Sequence, residues 1–374
     1  MRVAVLHHSL NSCGGGERLC LATIEALQEA GHEVILATTE PTDWSRVEEA
    51  FGKRVRPDEE HSILPFSLKL FGIYQRQLTS LWAYRLRKHV HLTINTHGDV
   101  LPTPCDITYM HFPTFALLQE DPEVIVKYRS SLFWRLYFTP YEIIQKQLLK
   151  RYVGSGLILT NSTYSRQVIK RTIHRDAVIL HPPVDVRTFT MPADRPRENI
   201  VVTCSRLTPE KNLEIIPTIA SKVPEAEFHI IGSTSKASKS VIAKIESEKD
   251  RLKAENVHIH PNASLKTLLS IYEKAKIYLH TMKGEHFGIS VVEAMASALA
   301  PIVPTIGGPW TDITLKGKYG IGYRTPQQAI KQIKTLLKNS KLLENLQKKA
   351  QKRSTQFTEQ TFKEKLIKIV STLI

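Results

Sequence analysis

Short, nearly continuous apolar runs recur along the chain. Between them lie longer stretches in which apolar residues return every three or four positions. That is the pattern of buried parallel strands alternating with amphipathic helices. Arg2–His8 reads as a first strand, Gly14-Gly15-Gly16 as a turn opening a helix at about Glu17–Ala30, and Glu33–Thr39 as the next strand. Leu92–Thr96, Asp106–Phe112, Gly156–Asn161 and Ala177–His181 continue the series. A proline-rich, aperiodic stretch from His181 to Pro196 interrupts it. A second series follows: Asn199–Ser205, Ala226–Gly232, Asn256–His260, Lys276–Thr281 and Pro301–Thr305 as strands, with helices between. Lys316–Arg353 reads as lysine-rich helix, and Thr358–Ile374 as an amphipathic helix with Phe362, Leu366, Ile369, Val370 and Leu373 on one side. The expectation is an α/β protein of two doubly wound, Rossmann-like parallel-sheet domains facing a cleft. They span 1–183 and 199–354, with a linker at 184–198 and a terminal helix in 355–374.

The chemistry concentrates at Lys283-Gly-Glu-His-Phe-Gly-Ile-Ser-Val-Val-Glu293, which follows a strand and runs into a helix. A helix start offers free N–H groups and partial positive charge to an anion such as a diphosphate. Glu285 and Glu293, eight residues apart, can accept hydrogen bonds from hydroxyls carried on that anion. A glycine in an ordinary strand–turn–helix unit with a dipole-favoured acid would look the same, so the other strand ends must discriminate. Arg206 and Lys211 flank the turn after the second domain's first strand, where a forked and a compact cation can meet one diphosphate. His111 ends a strand in the first half, and Gly15 and Gly16 permit close backbone approach after the first strand. That glycine run is not a full dinucleotide fingerprint, which disfavours a nicotinamide enzyme.

Charge adds a partner. The chain has 51 Lys and Arg against 36 Asp and Glu, a net charge of +15, which calls for an anionic surface or ligand. Residues 61–98 contain no acid but mix Lys69, Arg76, Arg85, Arg87 and Lys88 with Phe66, Phe71, Tyr74, Trp82 and Tyr84. Val124–Tyr152 repeats that mixture. Basic residues interleaved with aromatics suit an anionic membrane surface, and no recognised nucleic-acid motif accompanies the charge. No apolar run reaches the ~18 residues of a membrane span. The scattered Cys13, Cys20, Cys105 and Cys204 lack metal spacing and fit a reducing compartment.

In this order, the glycine loop, His111, the Arg206/Lys211 pair and the Glu285-x7-Glu293 block resemble the retaining glycosyltransferases of the GT-B architecture, family 4. His280-Thr-Met282 before Glu285-His-Phe-Gly-Ile289, together with Tyr109-Met-His-Phe-Pro113 and Asn161-Ser-Thr163, is similar to the α-1,2-mannosyltransferases of the dolichol-linked oligosaccharide pathway. The resemblance implies a nucleotide-sugar donor, GDP-mannose first and a UDP-sugar with a different acceptor as the alternative. It implies a lipid-linked glycan acceptor, no metal or other cofactor, and a place at the cytoplasmic face of a membrane. Arg206 and Lys211 would hold the diphosphate, Glu285 the sugar and Glu293 the ribose. Backbone N–H groups of Phe287, Gly288 and Ile289 would lie near sugar and phosphate. His111 would sit by the transferred sugar, and Gly15 and Gly16 by phosphate or acceptor. Membrane attachment would rest on the basic-aromatic surface rather than on an anchor, and the terminal helix would return to the N-terminal domain. A basic nucleic-acid-binding protein remains the reading of a different class.

Overall fold

The computed structural model describes residues 1–66, 72–98, 104–113, 139–140, 143 and 156–373. The chain divides into two compact units, Met1–Pro183 with Glu359–Ile374, and Val184–Thr358.

In the first unit the strands β1 (Arg2–Leu6), β2 (Glu33–Thr38), β3 (Glu59–Ser62), β4 (Leu92–Asn95), β5 (Ile107–Met110), β6 (Leu157–Thr160) and β7 (Val178–Ile179) pair in parallel. Their order is β3-β2-β1-β4-β5-β6-β7. β1 is central, and its Val3, Ala4, Val5 and Leu6 are fully buried on both faces, which explains an unbroken apolar run instead of an alternating one. Helix α1 (Gly15–Glu29) buries Leu19, Ile24 and Leu27 against that sheet. α2 (Trp44–Phe51), α3 (Gly72–Leu86) and α4 (Thr163–Ile173) follow in the chain.

In the second unit β8 (Ile200–Cys204), β9 (Glu227–Gly232), β10 (Val257–Pro261), β11 (Ile277–Leu279), β12 (Ala300–Pro304) and β13 (Ile321–Tyr323) are also parallel, in the order β10-β9-β8-β11-β12-β13. Its helices are α5 (Val186–Phe189), α6 (Ile216–Ala220), α7 (Ser238–Leu252), α8 (Leu265–Lys274), α9 (Ile289–Ala296), α10 (Pro326–Lys338) and α11 (Ser340–Ser354). Two cores sandwich the sheet: Phe228, Ile230, Ile333 and Leu336 belong to one, and Tyr278, Val291, Met295 and Phe357 to the other. Val184, Val186 and Phe189 pack into the latter. Two doubly wound parallel sheets are thus present, as the alternation of runs predicts.

The last helix, α12 (Glu359–Val370), belongs to the first unit. Phe362, Leu366 and Val370 are buried with Leu19 and Leu27 of α1. Lys363 reaches Glu25 and Glu29 of α1, each at 2.8 Å.

Local departures from the sequence expectation have physical reasons. α1 starts at Gly15, not Glu17, because the Glu17 carboxylate accepts from the Gly14 backbone N–H at 2.8 Å, the one half of a capping box that a glycine N-cap can make. Gly15 and Gly16 are therefore the helix's first residues, not a free loop. The lysine-rich stretch after Lys316 is not helix throughout, since Ile321–Tyr323 forms edge strand β13. From Pro209 on, the chain makes two tight 3₁₀ turns, Pro209–Lys211 and Leu213–Ile215, before the short α6, where one helix was expected.

Candidate active site

The second unit brings most of the predicted residues to the carboxyl ends of β8 and β11. Beyond β8, Arg206 is exposed and lies 3.4 Å from Glu210. Pro209–Lys211 forms a 3₁₀ turn that Asn212 closes with φ of 51°, the left-handed conformation asparagine tolerates well. This turn is tied to the neighbouring strand end: the Thr281 hydroxyl donates to the Lys211 carbonyl at 2.6 Å, and the Asn212 amide to the Thr281 carbonyl at 3.4 Å. Lys211 is thereby aimed inward. Its Nζ lies 2.5 Å from Glu285 Oε2 and 3.2 Å from Met282 Sδ, and only 12% of the side chain is exposed.

Glu285 occupies the loop between β11 and α9. The other carboxylate oxygen accepts from the His286 N–H at 3.2 Å. Its backbone is fixed as well, bridging to Gly307, with the Gly308 N–H donating to the Glu285 carbonyl at 2.7 Å. Gly307 has φ of 108°, and a Cβ there would meet Glu285 O at 2.7 Å and Glu285 N at 2.9 Å. Gly288 caps α9 with φ of 97°. These two glycines let the loop fold tightly over the helix start. Burial pushes the Glu285 carboxyl up, but the Lys211 ammonium, with His280 and His286 adding to it, brings the group down to about 2. Near neutral pH it is a carboxylate, an acceptor and not an acid.

His280 ends β11. Burial drives its imidazole down to about 4, Lys211 adds to that and Glu285 opposes it, so the ring is neutral. The Phe287 side chain is buried, its ring 5.6 Å from that of Phe357, edge to face, which leaves only its backbone for a ligand. Glu293 lies just over one turn into α9, half-buried, beside Cys204 at the end of β8. Burial, with the Glu293 charge adding to it, pushes the Cys204 thiol up to about 12, so it is no nucleophile. The Tyr278 hydroxyl spans Cys204 O at 2.9 Å and Ser290 Oγ at 2.8 Å, fastening α9 to β8.

The first unit has its own cluster. His111 follows β5, with Nε2 3.2 Å from the Thr96 carbonyl and its ring 4.8 Å from that of Tyr109. A Cβ on Gly16 would meet His111 Nε2 at 3.7 Å and His7 Cε1 at 3.9 Å, so Gly16 and His111 share one sheet end. His7 is fully buried, 2.8 Å from the Thr96 hydroxyl and 3.8 Å from Glu17.

Arg206, Lys211, Glu285, Gly288, Ile289 and Glu293 are therefore grouped in the second unit, and Gly15, Gly16 and His111 in the first. Sequence reasoning used His280 and Thr281 only as part of a motif and gave them no site role, and it missed Asn212 and the Gly307-Gly308 pair. The double glycine after β12 was a usable signal, because successive glycines at a strand's carboxyl end announce a close backbone approach. The basic-aromatic stretch Val124–Tyr152 lies outside the described residues except for 139–140 and 143, as do Lys69 and Phe71. Among the described residues no group of three or more His, Cys, Asp or Glu can hold a metal ion, and no helix is long and apolar enough to cross a membrane.

Residues 190–353 match the family of Glycosyl transferases group 1. The GDP-Man:Man(3)GlcNAc(2)-PP-Dol alpha-1,2-mannosyltransferase of Dictyostelium discoideum is 27% identical over 257 residues, covering 63% of this chain but only 50% of that one. The enzyme of the same name in Mus musculus is 26% identical, covering 84% of this chain and 74% of its own. An alpha-1,3/1,6-mannosyltransferase, ALG2 of Rhizomucor pusillus, is 23% identical with 83% and 78% covered. Among solved structures, Anabaena Alr3699/HepE in complex with UDP superposes with a TM-score of 0.75 at 16% identity, both chains covered in full. That last likeness speaks to fold alone. The sequence matches relate the chain to glycosyltransferases, and the structural likeness gives it the GT-B fold.

Proposed function

We propose that the chain transfers mannose from GDP-mannose, with retention of configuration, to a lipid-linked glycan at the cytoplasmic face of a membrane. The observation that carries this reading is the Lys211–Glu285 pair at 2.5 Å beside the Gly288-capped start of α9, within the region matched as Glycosyl transferases group 1. Relatives named for GDP-Man and a dolichol-linked glycan support the donor and acceptor classes.

In this reading Arg206, Lys211 and the N–H groups of Gly288 and Ile289 bind the diphosphate. They stabilise the charge that grows as the sugar C1–oxygen bond breaks. Glu285, being ionised, accepts hydrogen bonds from sugar hydroxyls, and Glu293 accepts from the ribose. The acceptor oxygen bonds to C1 on the face the phosphate leaves, and the acceptor proton passes to the departing phosphate oxygen. No protein carboxylic acid is needed, unlike the paired carboxylates of glycoside hydrolysis. His111, Gly15 and Gly16 are assigned to the acceptor-side unit, with His111 serving the transferred sugar. α3 supports the membrane assignment: Leu81 is 44% and Tyr84 51% exposed, beside exposed Arg85, Arg87 and Lys88.

A thermal-shift screen of GDP-mannose, UDP-glucose, GDP and UDP tests the donor assignment through linkage. The reading expects the largest rise with GDP-mannose, lost in Glu293→Ala. A larger rise with UDP-glucose would move the assignment to a UDP-sugar, and no rise with any of the four would refute it.

A further inference from the structure

The His280 side chain is 3% exposed, and its Nε2 makes no hydrogen bond, although the atom lies 3.7 Å from Glu285 Oε2. A buried polar atom without a partner is costly in a folded protein and calls for a reason. The ring is not misplaced by a loose backbone. The His280 N–H donates to the Ile302 carbonyl at 2.9 Å, and its carbonyl accepts from the buried Tyr323 hydroxyl at 2.7 Å. The ring also stacks on Tyr278, with planes 18° apart. A lone pair on Nε2 would face a carboxylate, so the proton sits on that nitrogen. The gap between Nε2 and Oε2 is too long for a direct bond, yet both atoms can reach one hydroxyl oxygen placed beside them.

We infer that His280 is a specificity-determining residue of the donor site, its Nε2–H donating to the same sugar hydroxyl that donates to Glu285. This rests on the nucleotide-sugar reading above. One hydroxyl would then be read twice, as acceptor and as donor, and a sugar lacking it or presenting it in the other configuration would leave His280 unpaired. The nucleotide portion lies outside this contact.

The test compares the wild type with His280→Leu, which fills the site without a donor, and His280→Gln, whose amide places an N–H near the Nε2 position. Binding of GDP-mannose, GDP, UDP-glucose and UDP is measured for each, with unfolding midpoints as a control. The expected result is about tenfold weaker sugar-nucleotide binding in His280→Leu, the loss one hydrogen bond implies, with near-wild-type binding in His280→Gln and unchanged free-nucleotide binding in both. Should the leucine variant fail to fold, imidazole nitrogen NMR of the wild type decides. There, a His280 Nε2–H resonance that moves with the sugar nucleotide but not with the free nucleotide is expected. Equal binding by folded His280→Leu, or a resonance indifferent to the sugar, overturns this inference alone. Failure of the wild type to bind any of the four probes overturns the donor-site reading and this inference with it.

Discussion

Lys211 and Glu285 stand 74 residues apart in sequence and 2.5 Å apart in space, and each side chain is more than four-fifths buried. A pair so placed is held by its partner more than by solvent. Removing only the cation leaves a buried charge uncompensated. Lys211→Met is therefore expected to destabilise the protein by about 3 kcal/mol, while Lys211→Met with Glu285→Gln recovers most of that loss. Denaturant unfolding of the two single variants and the double variant checks this, and additive losses would show that the pair is not coupled.

Acid should weaken the second unit in two legs. Burial holds His280 at about 4 against 6.5 for a free imidazole, so its contribution is complete above 6.5 and is lost as pH falls through 4. Lys211 holds Glu285 at about 2 against 4.5, so that contribution is complete above 4.5 and fades as pH falls towards 2. Stability measured from pH 8 to pH 3 should decline in both windows. His280→Gln should flatten the upper leg and leave the lower one.

The glycines can be ranked by what a methyl group would meet. Gly307→Ala combines φ of 108° with a clash against the Glu285 backbone, whereas Gly52, at φ of 65°, has nothing within 4 Å of an added Cβ. Gly52→Ala should cost about 1 kcal/mol, the conformational penalty alone. Gly307→Ala should cost clearly more and also weaken donor binding, because Glu285 must move. Comparable losses in melting temperature for the two variants would contradict the close approach.

The terminal helix should matter to one unit selectively. Phe362 is 2% exposed and packs with the α1 residues, so Phe362→Ala is expected to cost about 3–5 kcal/mol. Hydrogen exchange should register the loss in α1 and β1 and spare β8 and β11. Uniform deprotection of both units would argue against separate cores.

Much of this was legible in the chain because central strands announce themselves. Val3–Leu6 and Ile277–Leu279 are buried on both faces and read as apolar runs. Edge strands do not. β3 is Glu-Glu-His-Ser and β13 is Ile-Gly-Tyr, and both lie at sheet margins where a neighbour's ladder, not burial, creates the strand. At the site, Glu285, Lys211 and Arg206 were readable from residue type and position after a strand. His280 stood out only as the start of the His280-Thr-Met282 motif; its role was not readable, because that depends on an unpartnered atom 3.7 Å from an acid.

Transfer of labelled mannose from GDP-mannose to a synthetic lipid-linked glycan, by the wild type and by Glu285→Gln, tests the central claim most directly. Glutamine keeps the shape but replaces one accepting oxygen with a donor, in an interaction made to the reacting sugar. The account predicts transfer with retained anomeric configuration in the wild type. In a folded Glu285→Gln it predicts a loss on the order of 100-fold or more, the scale of removing a group that contacts the transition state. Undiminished transfer by Glu285→Gln, or no transfer by the wild type from GDP-mannose, would contradict it.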